Sequence, residues 1–183
     1  MIPAEQRLAA PAPGRGTLAG AIGAAWGIGG IAALLAYAVA KLAGYVAGAV
    51  AAGLAPAEWL LLAANVAFMV WAEGVRGFQR RFAPRVAARA LVLLERPEPV
   101  TVLLAPLYCV GYFRATPGLM RMAWIGTGLI VAAVLAVQQV DQPWRGILDA
   151  GVVAGLTWGT LAVLVQGLRV LHAREATVDP ALP

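Results

Sequence analysis

Four polar side chains stand within otherwise apolar stretches of this chain: Lys41, Asn65, Glu73 and Asp149. A polar or ionisable group at membrane depth is a usual place for ion, proton or substrate handling in a lipid-immersed protein, so each is weighed against a plain structural role. Lys41 follows 24 residues from Thr17 without a charge. It either marks the far interface, where a lysine reaches water along its own methylenes, or sits at depth. Asn65 wants an interhelical hydrogen-bond partner, a contact typically worth about 0.6 kcal/mol inside membranes, which favours packing over ligand binding. Arg145 and Asp149 are four apart, the spacing of an ion pair across one helical turn; with Asp141 they would otherwise form the mouth of an ion or substrate site. Glu73, one turn before Arg76 and Gly77, has the same two readings.

Chemistry beyond binding finds little to work with. Acyl transfer needs an activated nucleophile and a base, yet the chain has no serine, and its one histidine, His172, has no partner motif. Metal and haem sites need clustered His, Cys or acidic ligands, which these residue types do not supply, so neither metal nor cofactor is expected. Cys109, between Tyr108 and Val110, reads as a small buried hydrophobe rather than a reactive thiol, since nothing nearby in sequence would stabilise a thiolate. The run Gly27-Ile28-Gly29-Gly30 lies inside an apolar stretch rather than between a strand and a helix, so it is no phosphate loop. No catalytic residue is assigned, and a non-enzyme is expected.

The elements that must position these groups follow from composition. Hydrophobic residues fill 61% of 183 positions and charged residues 13%, against roughly 45–50% and 25% in soluble domains; that much apolar surface needs lipid. Four spans are expected, at residues 17–40 with an apolar extension to 54, 57–78, 119–140 and 146–168. The first gives about 36 Å at 1.5 Å per residue, enough for a ~30 Å hydrocarbon core. Pro56 and Glu58 suit the opening turn of the second. Arg81, Arg85 and Arg89 repeat every four residues and, with Arg76 and Arg80, suggest an amphipathic helix over 80–95 lying on the cytosolic face as a surface for anionic lipid or a partner. Residues 100–113 carry no charge but reach only about 21 Å as a helix and contain Pro106, which suggests a short re-entrant or interface-embedded hairpin shielded by other helices. Residues 1–16 and 173–183 read as flexible tails around one membrane domain, 17–172. The first apolar run is longer than the 7–15 residues of a signal core, so it reads as a retained anchor.

Glycines mark where backbones approach. Gly151, Gly155 and Gly159 repeat every four residues, and Gly23 with Gly27 and Gly44 with Gly48 do the same on the first segment; such faces suit tight helix contact within the chain or with another subunit. Orientation follows from the arginines. If 100–113 does not cross, twelve basic residues share one side against Arg145, with Lys41 left aside; if it crosses, the division falls to nine against four. The positive-inside rule then favours four spans with both termini cytoplasmic. The net charge of +5 is thereby assigned to lipid headgroups rather than nucleic acid. The expected fold is an all-α integral membrane protein of a bacterial-type inner membrane. The expected function is a structural or accessory subunit of a larger respiratory, photosynthetic or transport complex, with lipids and other integral subunits as partners; the alternative is a small oligomeric carrier or channel. Reporter fusions at the two ends should both read cytoplasmic, and opposite readings would refute the four-span topology.

Overall fold

A computed structural model describes residues 17–176, 178 and 179; the tail expected over 1–16 and part of that over 173–183 lie outside the described residues. All regular structure among the described residues is helical: α1 (Leu18–Ala52), α2 (Pro56–Met69), a π-helical segment (Val70–Phe82), α3 (Ala83–Glu95), α4 (Pro99–Leu103), α5 (Ala105–Val110), α6 (Pro117–Val137) and α7 (Trp144–Ala173). Four helices are long and apolar enough to cross a membrane: Leu18–Ala52, Pro56–Glu95, Pro117–Val137 and Trp144–Ala173.

Local chemistry explains the breaks. Thr17 caps α1, its hydroxyl accepting from the Gly20 N–H at 3.1 Å, and the helix then runs through Lys41 without interruption. The apolar extension after Lys41 therefore belongs to one helix, about 52 Å long. It stops at Gly53, whose φ of 84° is a left-handed value that glycine accepts cheaply. Pro56 then opens α2, and Glu58 reaches back to the Ala55 N–H at 2.7 Å.

The α1 and α7 helices run antiparallel in a fixed register. A Cβ on Gly146 would strike Ala49, and one on Gly167 would lie 2.7 Å from Ile28 Cδ1; both intervals are 21 residues. On its other flank α7 meets α2 and the π segment: Gly151 abuts Asn65 and Met69, Gly155 abuts Glu73, and Gly159 abuts Phe78. The contacting residues step by four from Asn65 to Met69 to Glu73, then by five to Phe78. Five is the hydrogen-bond step of a π-helix, seen where the Ala83 N–H bonds to Phe78 O. The wider winding thus keeps one face of the second long helix turned toward α7.

Residues 80–95 depart from the expected surface helix. They continue the second long helix, and α3 sits in the core, with Val86, Ala87, Ala90, Leu93 and Leu94 buried together with Ala24, Ile28 and Val163. Of the arginine stripe, Arg81 is exposed, Arg85 is half-buried and Arg89 is only 3% exposed. An arginine is tolerated there because the chain surrounds it with acceptors: Arg89 donates to Tyr108 O at 2.7 Å, Phe113 O at 3.2 Å and Arg114 O at 3.1 Å, and its guanidinium lies 4.1 Å from the Tyr108 ring centroid. These bonds tie α3 to the hairpin, a feature that periodicity alone mistakes for a solvated face.

The hairpin itself is α4 and α5, broken at Leu104. It packs beneath the first half of α1, with Val102 against Gly23, Cys109 against Gly27 and Pro106 against Gly30, and Trp26 Nε1 donates to Leu103 O at 3.2 Å. Gly111 ends it at φ 99°, where a Cβ would also meet Leu119 Cγ at 2.8 Å. Gly44 and Gly48, expected to pack, do not: Gly44 has open space where a Cβ would go, and Gly48 meets only Gln142 Nε2, at 3.8 Å. That stretch of α1 is approached by a neighbour on its Ala49 side instead.

Substituting Gly20→Ala or Gly146→Ala, where the added Cβ runs into Leu94 O or Ala49, should lower unfolding free energy in detergent by about 1–3 kcal/mol. Gly44→Ala should change it by less than about 0.5 kcal/mol in the unfavourable direction, since alanine is the better helix former.

Candidate functional site

Of α6, only Leu119 is buried. The helix is attached near its start, where Tyr112 and Thr127 share a hydrogen bond between their hydroxyls, the Tyr112 and Trp124 rings meet edge-on at 4.9 Å, and Arg85 Nη1 donates to Met122 Sδ at 3.3 Å. Beyond these contacts it stands off the bundle. A cleft of about 1030 Å³ remains, walled by α1, the π segment, α3, α6 and α7.

Three of the four polar side chains singled out by the sequence line this cleft: Lys41 from α1, Glu73 from the π segment and Asp149 from α7, joined by Arg145. Asn65 does not. It sits on the contact between α2 and α7, where Nδ2 donates to Ile147 O at 2.8 Å and Leu148 O at 3.3 Å.

Arg145 and Asp149 form the expected i, i+4 pair, with Nε 3.8 Å from Oδ2. The arginine also stacks on Tyr45, with its guanidinium carbon 3.5 Å from the ring centroid. Asp149 is 3% exposed, and neither Arg145 Nε nor Asp149 Oδ2 has a hydrogen-bond partner. The attraction is therefore Coulombic, in a setting that water screens poorly. Lys41 and Glu73 behave differently. The ammonium is 5.6 Å from the Tyr37 ring, and neither residue is in the two ion pairs formed among the described residues, Arg145–Asp149 and Arg114–Glu98. Both line the cleft.

The helical register sets their height. Since Gly146 faces Ala49 and Gly167 faces Ile28, Gly155 stands level with Ala40, next to Lys41. A Cβ on Gly155 would lie 3.4 Å from Glu73 Cβ and 3.5 Å from its Oε2. Lys41 and Glu73 thus occupy about one level on different helices, with Asp149 and Arg145 above them. Below that level the cleft continues between Ile31, Leu34, Leu35, Ile130 and Val134. The lining is thus mostly apolar, with Lys41, Glu73, Arg145 and Asp149 toward one end and Arg85 farther down.

The remaining expected residues scatter. Arg76, Arg80 and Arg81 are exposed, with the Arg76 guanidinium 4.9 Å from the Trp71 ring; Arg85 lines the cleft and Arg89 belongs to the core. Cys109 is enclosed beneath Gly27, and burial pushes its thiol up to about 12, which leaves it protonated and unreactive. Among the described residues no three His, Cys, Asp or Glu side chains gather as metal ligands would. Tyr45, Arg85, Tyr112 and Thr127 also line the cleft without a sequence signal to single them out. Gly167 did leave one: it extends the four-residue series 151, 155 and 159, with Val163 between. Comparison of the chain with protein-family models, with curated proteins and with solved structures finds no match in any of the three.

Removing Arg145 alone, as Arg145→Met, leaves the buried Asp149 carboxylate uncompensated and should cost about 3 kcal/mol of stability. Adding Asp149→Leu should restore most of that loss in a thermal unfolding series; a double variant no better than the single one would show that the pair is not coupled.

Proposed function

We propose that this chain is a non-enzymatic, multi-pass protein of a bacterial-type inner membrane that takes one amphiphilic molecule from the bilayer into the cleft beside α6, and so acts as a small carrier. The observation that carries this reading is the convergence of Lys41, Glu73, Arg145 and Asp149, from three separate helices, on one cleft whose walls are mostly apolar. A cleft of about 1030 Å³ lies just above the roughly 300–1,000 Å³ usual for small-molecule pockets, which suits a lipid better than a metabolite. Charged groups in an apolar setting are costly unless they are paired or used, and Lys41 and Glu73 are not ion-paired.

In this reading α4 and α5 form a re-entrant hairpin. Their contacts with α1 fall between Gly23 and Gly30, and their backbone is covered by α1 and α3 on one side of the bundle. Both ends of the described chain lie at that same end, as do the exposed Arg96, Arg121, Arg169 and Arg174. The positive-inside rule makes it the cytoplasmic end, with both termini there.

A second reading, an accessory subunit of a larger membrane complex, is favoured by one observation: α6 leaves its outward face uncovered, with open space beside Gly128, where another helix can approach closely. Purification in mild detergent separates the two. The carrier reading expects one amphiphile per chain by native mass spectrometry, lost in Gly126→Phe, whose side chain would fill the cleft where Gly126 now has open space. Stoichiometric protein partners, with no lipid lost in that variant, would favour the accessory reading.

A further inference from the structure

Resting on the carrier reading, the geometry points to a zwitterionic aminophospholipid as the occupant, with its phosphate at Lys41 and its primary ammonium at Glu73. Charge complementarity selects the head. Lys41 and Glu73, neither of them ion-paired, stand at about the same level on different helices; Arg145 and Asp149 are engaged with each other, and Arg85 lines the cleft about twelve residues farther along the second long helix than Glu73. A purely anionic headgroup would satisfy Lys41 and bring a phosphate toward the Glu73 carboxylate, a like-charge contact that costs affinity. A primary ammonium can donate hydrogen bonds to that carboxylate, and such charge-assisted bonds are among the stronger ones; a quaternary ammonium has no N–H to donate.

The apolar walls select the tail and its depth. From Lys41 down to Ile31 the cleft follows ten residues of α1, about 15 Å at the helical rise, which is half of a ~30 Å hydrocarbon core and so one leaflet. The bound lipid has its head among Lys41, Glu73 and Tyr45 and its chain along Leu34, Leu35 and Ile130. Entry is sideways, past the part of α6 that stands off the bundle.

The test uses the full chain, reconstituted in vesicles of equimolar phosphatidylethanolamine, phosphatidylcholine and phosphatidylglycerol, extracted in detergent and read by native mass spectrometry. Phosphatidylethanolamine should be retained over phosphatidylglycerol by roughly tenfold, the size of one charge-assisted hydrogen bond, and over phosphatidylcholine as well. Glu73→Gln should abolish that preference, and Lys41→Gln should weaken retention of all three. Both side chains face the cleft, so an unchanged unfolding temperature checks that the variants fold. A lipid held without headgroup preference, or a preference unmoved by Glu73→Gln, overturns the headgroup assignment and leaves the carrier reading standing. Retention of no lipid, or retention that Gly126→Phe does not reduce, overturns both.

Discussion

Close backbone approach along α7 is the constraint from which the rest of the structure follows. Glycines repeat on it every four residues, while an α-helix turns once in 3.6 residues, so each step of the series rotates by about 40° and the four steps from Gly151 to Gly167 by about 160°. The same series therefore faces α2 and the π segment at its start and α1 at its end, as the contacts of Gly151 with Asn65 and of Gly167 with Ile28 record. One helix is thereby clasped on two flanks by two partners, and both partners are fixed in height relative to each other.

That clasp leaves α6 outside. It precedes α7 through the short connection at 138–143, but α7's glycine faces are already taken, and α6 has only its first half anchored to Tyr112, Arg85 and Gly111. The cleft is the consequence of this exclusion. Its polar lining has the same origin, since fixing α1 and the π segment against α7 brings Lys41 and Glu73 to one level on either side of Gly155. The π winding matters here: with α-helical steps throughout, the face that carries Asn65, Met69 and Glu73 would drift away from α7 before Phe78 reached Gly159.

The core is displaced toward the other end, where α3 and the hairpin cover the first half of α1. Arg89 makes this possible by exchanging solvation for three carbonyls of the segment 108–114, so that a basic residue in mid-helix acts as a tie between elements. Its neighbours Arg81 and Arg85, on the same nominal stripe, grade from exposed to half-buried, because the helix axis enters the bundle as it proceeds.

The sequence by itself determined the four long apolar helices, the helix start at Pro56, the short broken helix around Pro106, the Arg145–Asp149 pair and the glycine series on α7, because each depends on residue type and spacing within one element. Only the tertiary structure decided that α3 is core rather than surface, that Gly44 and Gly48 are unpacked, that Asn65 meets the Ile147 and Leu148 carbonyls, and that Lys41, Glu73 and Asp149 share a cleft. Those outcomes depend on which faces of different helices meet, and a helical period fixes the direction of a side chain relative to its own axis without saying what lies opposite.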